Sequence, residues 1–350
     1  MTKKILVTGG LGYIGSHTVV ALHEAGFTPV IADNCSNASP VFLERIARII
    51  GYTPAFYRVD VCDAQALSNV FAENHFEGVI HFAAYKSVGD SVKNPLAYYR
   101  NNVDGLLCLL ETMQASACGN LVFSSSCSVY GDAKEQPVSE TTPFEKAQSP
   151  YAHTKQIGED ILKSVCAASN LYQVIALRYF NPIGAHESAL IGEAPIGVPT
   201  NLVPYIAQTA AGLRPGLTVH GGDYPTPDGT CIRDYIHVTD LARAHVNALQ
   251  RLIAKNNTDA YELYNLGTGK GSSVLECIRT FEAVNGIAVP HSIGPRRPGD
   301  VVQVWADTTQ ANNVLGWKAT HTLEDMMRSA WQWQIKMNAF EAAQNNGQPV

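Results

Sequence analysis

The opening segment dictates most of what this chain can become. In MTKKILVTGGLGYIGSH an apolar run, Ile5–Thr8, leads directly into Gly9, Gly12 and Gly15, and then into a helix-length stretch over Gly15–Ala25. Strand, glycine turn and helix in immediate succession bring the amides of a helix N-terminus up to a pyrophosphate. Glycine lets the main chain approach that closely. The spacing is G-x-x-G-x-x-G rather than G-x-G-x-x-G, and a triple-glycine match alone is weak. Its context is stronger, because the next apolar run, Pro29–Ala32, ends at Asp33. A carboxylate there can accept hydrogen bonds from both hydroxyls of an adenosine ribose and would repel a 2′-phosphate. NAD is therefore expected over NADP. Asp60 reads equally as an adenine contact or as a helix cap ahead of Val61–Gln65.

The unit repeats along the first half. Strands are expected at Phe56–Val59, Val79–Phe82, Leu121–Ser124 and Val174–Leu177, each apolar on both faces. Helices are expected over Phe42–Ile49, Gln65–Asn74, Leu96–Ala117 and Tyr151–Ala168. This alternation predicts an α/β fold, a Rossmann-type doubly wound parallel sheet. Beyond Arg178 the character changes. Residues 181–232 are rich in Gly and Pro around one helix near Asn201–Leu213, followed by a helix near Thr239–Leu252, a strand over Tyr261–Leu266 and a helix near Leu323–Lys336. These read as a smaller C-terminal α/β lobe, and 350 residues suit two such units.

Charge and cysteine usage exclude several function classes. Lys+Arg 25 against Asp+Glu 31 gives a net charge of −6, leaving no basic surplus for a nucleic-acid backbone. No apolar run is long enough to span a membrane. The eight cysteines form no C-x-x-C pair and the eleven histidines no H-E-x-x-H pattern, so no metal site is expected. A cytoplasmic protein with reduced thiols is the expectation.

Tyr151 and Lys155 form Y-x-x-x-K, which puts both on one face of a helix. A tyrosine titrates near 10 and is a poor base at neutrality. A neighbouring ammonium and a cationic nicotinamide ring would stabilise its phenolate. The run Ser124, Ser125, Ser126 follows the fifth strand, at the sheet edge where ligands bind in such folds. Capping of the strand end is the alternative reading of these serines, and it suits Ser124 and Ser125 better than Ser126.

With these segments in view, the chain resembles the extended short-chain dehydrogenase/reductases, and within them the UDP-glucose 4-epimerase (UDP-galactose 4-epimerase) family. The likeness runs nearly end to end through TGGLGYIGSHT, HFAA with Lys86, NPLAYYRNNV, FSSS with VYGD, LRYFNPIGAH, NLVPYIAQ, GGDYPTPDGT, RDYIHVTDLA, YNLGTG and PRRPGD. The resemblance implies that Tyr151 is the acid/base at the sugar O4, that Ser126 also contacts O4, and that Lys155 binds the nicotinamide ribose and lowers the pKa of Tyr151. It implies NAD held by Gly9, Gly12, Tyr13, Ile14, Gly15, Asp33, Asn34, Asn37, Asp60, Val61, Phe82, Lys86, Asn101, Tyr151, Lys155 and Phe180. A UDP-sugar would be held by Ser126, Asn181, Asn201, Leu202, His220, Arg233, Arg297, Asp300 and Val304. Residues 1–180, with part of 233–268, would form the NAD-binding domain, and 181–232 with 269–350 the UDP-sugar lobe. A homodimer built on the Leu96–Ala117 and Tyr151–Ala168 helices is implied too.

Some positions depart from the family pattern. Ala152 and Thr154 replace a common Gly and Ser, Cys127–Ser128 replaces Ala–Thr, Ala84 replaces a Gly near the nicotinamide, and His220 stands where Phe is frequent. These bear on fine geometry and remove no catalytic group. A sugar-nucleotide 4,6-dehydratase is the rival enzyme, but it needs an Asp–Glu pair where this chain has Cys127 and Ser128. A non-catalytic NAD-binding regulator is the rival outside catalysis, and Ser126, Tyr151 and Lys155 argue against it. In resembling epimerases, a tyrosine at the position of Val304 restricts the sugar pocket, so valine implies room for an N-acetyl group.

Overall fold

Strands that are apolar on both faces need cover on both faces, and amphipathic crossovers supply it. The computed structural model describes residues 2–297 and 300–345. In chain order it begins β1 (Lys4–Thr8), α1 (Tyr13–Glu24), β2 (Thr28–Ala32), α2 (Val41–Ile50), β3 (Ala55–Tyr57), α3 (Ala64–Ala72) and β4 (Phe76–His81). Next come α4 (Val88–Lys93), α5 (Pro95–Tyr99), α6 (Gly105–Ala115), β5 (Asn120–Ser126), α7 (Pro150–Ala168) and β6 (Gln173–Tyr179). The remainder starts with β7 (Asn181–Ile183), α8 (Leu202–Ala210), β8 (Leu217–His220), β9 (Ile232–Arg233), β10 (Tyr235–His237), α9 (Val238–Ile253) and β11 (Tyr261–Leu266). It ends with β12 (Ser272–Ser273), α10 (Val274–Asn285), β13 (His291–Gly294), β14 (Gln303–Val304), α11 (Thr309–Asn313) and α12 (Leu323–Asn345).

Seven strands pair in the order β11-β6-β5-β4-β1-β2-β3, all parallel. Side-chain alternation divides the core between the two faces. Ile5, Val7, Ile31, Ile80 and Val122 pack with α1, α2 and α9 residues such as Val19, Ile46 and Leu249. Leu6, Val30, Val79 and Leu121 pack with Leu67, Leu106 and Leu162 of α3, α6 and α7. The order reverses between β1 and β4, so a crevice opens at their carboxyl ends. The small strands of the second half form separate pairings, β10-β7, β12-β9-β14 and β13-β8, beside α8, α10 and α12 around Ile206, Phe281 and Met327. Among the described residues, no helix is long and apolar enough to cross a membrane.

Several elements differ from expectation, among them α4, α11 and the short strands β7–β10 and β12–β14. Leu96–Ala117 is not one helix: α5 and α6 are joined by a π-helical turn over Arg100–Asp104. The side chain of Asn102 in that turn bonds both the N–H and the C=O of Tyr85, and Gly105 packs where a Cβ would sit 2.9 Å from Val61 Cγ2. The extra residue in the turn accommodates both contacts. α10 was not anticipated, although Ser273 and Glu276 form a reciprocal capping box that the sequence displays. α12 continues past Lys336 to Asn345.

Asp240 pins the segment leading into α12 onto α9. Its buried carboxylate accepts hydrogen bonds from the Thr320 N–H and hydroxyl, the His321 N–H and His321 Nδ1. Burial works to raise its pKa, but these bonds outweigh it and hold the carboxyl well below its ordinary range. A carboxyl depressed in the folded state adds stability above its unfolded pKa and loses it as pH falls through the folded value. Asp240→Asn should lower the unfolding free energy by about 1–3 kcal/mol at pH 7. The gap from wild type should narrow below about pH 4. Urea melts at pH 7 and pH 3 check this, and equal stability at pH 7 would contradict it.

Candidate active site

The crevice at the reversal point is built by the glycine turn. Gly9 has φ +70°, and a Cβ on it would sit 2.8 Å from the Ala83 nitrogen. At Gly15 a Cβ would lie 2.2 Å from the Gly9 carbonyl oxygen, so this position admits no side chain. Gly12 is the N-cap of α1 and provides no side-chain hydrogen bond, which leaves first-turn amides facing the crevice. On the other side lies Asp33, whose carboxylate accepts the Leu11 and Cys35 N–H groups. Burial raises its pKa against the lowering by those two bonds. Gly9, Gly12, Asp33, Asn34, Asn37, Val61, Phe82 and Asn101 line one cleft. Its glycine floor, uncapped helix N-terminus and lining carboxylate fit a dinucleotide.

Not every expected cofactor residue lines that cleft. Asp60 stands at the rim, bonded to Asn34 Nδ2 and the Cys62 N–H; the cap of α3 is Asp63. Tyr13 turns its hydroxyl to the Gly184 carbonyl at 2.6 Å, and burial pushes its pKa well up. Ile14 packs against the core of the α1 face. Lys86 forms an ion pair with Glu193 at 3.0 Å, and Phe180 packs with Val129, Tyr130 and Val304.

The catalytic candidates meet where β5 ends beside the start of α7. Ser149 caps α7 by accepting the Ala152 N–H, and Pro150 occupies the first turn. Tyr151 and Lys155 follow one turn apart. Lys155 is buried; its Nζ donates to the Ser124 carbonyl at 2.6 Å and lies 6.0 Å from the Tyr151 ring centre. Burial pushes its pKa down to about 8 against the pull of Glu159. Burial pushes Tyr151 up to about 12, and the neighbouring Ser126 hydroxyl works the other way. The expected depression of the phenol by Lys155 is thus not produced by the protein's own groups. The ammonium is engaged by a backbone carbonyl, and desolvation of the phenol dominates.

The serine roles also differ from expectation. Ser126 is the cap, accepting the Ser128 N–H at the start of a 3₁₀ turn over Cys127–Tyr130. Ser124 instead bonds the Tyr179 hydroxyl, and Ser125 donates to Glu159 at 2.6 Å. At the dehydratase positions, burial pushes the Cys127 thiol up to about 12, while Ser128 Oγ is buried without a partner. Neither is a carboxylate.

The substrate candidates gather on the lobe side. β14 pairs with β9 so that Val304 lies opposite Arg233, and Asp300 bonds Arg297 at 2.7 Å and approaches Arg233 at 3.9 Å. Asn181 begins β7, with a buried Oδ1 that has no partner. Asn201 and Leu202 open α8, and His220 ends β8 at an exposed position. Sequence reasoning missed Glu193, whose Oε1 accepts from both Lys86 and Asn201 and so bridges the two sides of the site. No motif marks an isolated loop glutamate. It also missed Asn102, which ties Tyr85 to the Thr154 hydroxyl one residue before Lys155. Its signal was the NPLAYYRNNV segment, of which only Asn101 was singled out.

Comparison with known proteins fits this geometry. The family model described as GDP-mannose 4,6 dehydratase matches residues 6–330. A UDP-glucose 4-epimerase from Neisseria meningitidis serogroup C is 51% identical over 331 residues, 95% of this chain and 97% of that protein. The crystal structure of UDP-glucose-4-epimerase from Stenotrophomonas maltophila, with bound NAD and formylated UDP-arabinopyranose, superposes with a TM-score of 0.94 at 48% identity, covering 97% of this chain and 99% of that one. That of Bifidobacterium longum UDP-glucose 4-epimerase, in complex with NAD+ and UDP, gives 0.91 at 46% identity, covering 95% and 98%.

Proposed function

Because the chain belongs to the UDP-glucose 4-epimerase family, we propose that it interconverts UDP-glucose and UDP-galactose with NAD as its cofactor. It belongs equally to the wider family of the dehydratase model, but lacks the acid pair that dehydration requires. The observation that carries the reading is the meeting of Ser126, Tyr151 and Lys155 at the end of β5, on the same carboxyl edge of the sheet as the glycine-floored cleft. In the domain reading, 1–180 with part of 233–268 holds NAD, and 181–232 with 269–350 holds the UDP-sugar.

C4 of a hexose has no adjoining carbonyl and so no acidic hydrogen, which makes inversion by direct deprotonation chemically poor. NAD, when bound, supplies reversible hydride acceptance at C4. Gly9, Gly12, Tyr13, Ile14, Asp33, Asn34, Asn37, Asp60, Val61, Phe82, Lys86, Asn101 and Phe180 would hold it. Tyr151 takes the O4 proton and returns it, while Ser126 bonds the same oxygen. Lys155 holds the nicotinamide ribose and brings positive charge to the phenol's side of the site. Arg233 and Arg297 suit pyrophosphate oxygens through their planar forks. Asn181, Asn201, Leu202, His220 and Asp300 complete the substrate grip, so that the sugar itself can be held loosely enough to turn over.

A homodimer and a cytoplasmic location belong to the same reading. Val88, Val92, Leu96 and Leu107 expose apolar surface on α4, α5 and α6, which supports a helical interface. All eight cysteines are free thiols, which supports a reducing compartment.

The function is tested by assaying interconversion of the two UDP-hexoses by the purified protein. Tyr151→Phe should lower turnover by about 10²–10⁴-fold while the fold persists; near-normal turnover would assign the proton transfer elsewhere. Because the hydride is returned within each turnover, NAD should co-purify. Denaturing the protein and assaying the supernatant should release NAD, and a predominance of NADP would contradict the role of Asp33. Val304 is buried beside Phe180, Val129 and Ala306. Its small volume leads to measurable epimerisation of UDP-N-acetylglucosamine, abolished in Val304→Tyr. A wild type inactive on that sugar, or a tyrosine variant that keeps the activity, would remove Val304 as the selectivity gate.

A further inference from the structure

Behind the catalytic serines lies a buried polar network that touches no part of the cleft. Tyr151, Lys155 and Glu159 recur every four residues along α7, so one helix face carries all three. Glu159 is fully buried, and Arg178 on β6 is 2% exposed. Glu159 Oε1 accepts from Arg178 Nε at 2.8 Å and from the Ser125 hydroxyl at 2.6 Å. Its Oε2 accepts from Arg178 Nη2 at 2.6 Å and from the Tyr261 hydroxyl at 3.3 Å. Arg178 Nη1 continues to the Tyr130 hydroxyl, at the end of the 3₁₀ turn that follows the serines.

A buried ion pair is weak evidence of stability, since apolar side chains of similar volume hold a helix to a sheet as well or better. What directional bonds add is a fixed register, and here the register in question is that of α7 against β5. Ser125 sits opposite Arg178 in the parallel ladder, between two residues that face the chemistry. On one side, the Ser124 carbonyl receives the Lys155 ammonium at 2.6 Å; on the other, the Ser126 hydroxyl lies beside the Tyr151 phenol.

We propose that Ser125 and Glu159 are positioning residues: their hydrogen bond fixes the end of β5 against α7, so that Ser126 meets Tyr151 while the Ser124 carbonyl holds Lys155. This inference rests on the epimerase reading for its kinetic consequence. Misplacing reacting groups by about 1 Å costs about 10²-fold in rate. Binding of the UDP end, made by other elements, is untouched.

The test compares Ser125→Ala with Tyr261→Phe. Both remove one hydroxyl bond from the same carboxylate, but only the first releases the serine run. Ser125→Ala should lower kcat by about 10- to 100-fold with KM for UDP-galactose little changed, whereas Tyr261→Phe should retain the wild-type kcat. Hydrogen–deuterium exchange of the peptide covering residues 121–131 gives a second readout, independent of turnover. It should quicken in Ser125→Ala and stay at the wild-type rate in Tyr261→Phe. If Ser125→Ala matches the wild type in both readouts, or if Tyr261→Phe loses as much kcat, the positioning role is overturned. If the wild-type protein does not interconvert UDP-hexoses, the epimerase reading fails, and the exchange comparison alone decides whether the Ser125 bond holds the end of β5.

Discussion

A parallel sheet returns every strand by a crossover, and the point where the crossovers change direction cannot be covered. In this chain that point lies between β1 and β4, and the rest of the site depends on it. It exposes the glycine turn after β1, sets Asp33 at the end of β2 on one side, and leaves the ends of β4 and β5 on the other. The lobe assembled from β7–β10 and β12–β14 then has only to approach the same edge. Glu193, joined to Lys86 and to Asn201, and Tyr13, bonded to the Gly184 carbonyl, are among the polar links between the first and second halves of the chain.

The electrostatics of the catalytic end follow from how dry it is. Burial pushes the Tyr151 phenol up and the Lys155 ammonium down, toward neutral forms in both cases. In water the two groups titrate close together; burial drives them apart, so that the ammonium gives up its proton more readily than the phenol. The phenol is stabilised as a proton acceptor only by positive charge and donors delivered to its oxygen. Ser126 works to lower the phenol, while Lys155, anchored on the Ser124 carbonyl, holds its ammonium 6.0 Å from the Tyr151 ring centre. A nearby histidine does not interfere: burial drives the pKa of His81 down to about 3, so it stays neutral at physiological pH.

Much of this was legible in the sequence because its physical causes are local. Strands buried on both faces read as continuous apolar runs, and β1, β2 and β11 fall within a residue of their expected bounds. The glycine turn, Asp33 and the Tyr151–Lys155 spacing depend on neighbours in sequence, so they were legible too. What was missed depends on partners far along the chain. The π-helical turn at Arg100–Asp104 exists because Asn102 is drawn to Tyr85 and Thr154. The exchange of roles among Ser124, Ser125 and Ser126 is decided by Tyr179, Glu159 and Ser128, two of which lie on other elements. The strands of the second lobe are two to four residues long, too short for a period-two pattern to emerge. α10 is the exception, since its capping box was present in the sequence and went unused.

On the proposed mechanism the hydrogen at C4 leaves as a hydride and returns within the same site, with Tyr151 handling only the hydroxyl proton. UDP-glucose carrying deuterium at C4 distinguishes this from deprotonation at carbon. The UDP-galactose formed should retain the deuterium at C4 after many turnovers in ordinary water. Deuterium lost to solvent would contradict it, because it would mean that C4 is deprotonated rather than oxidised.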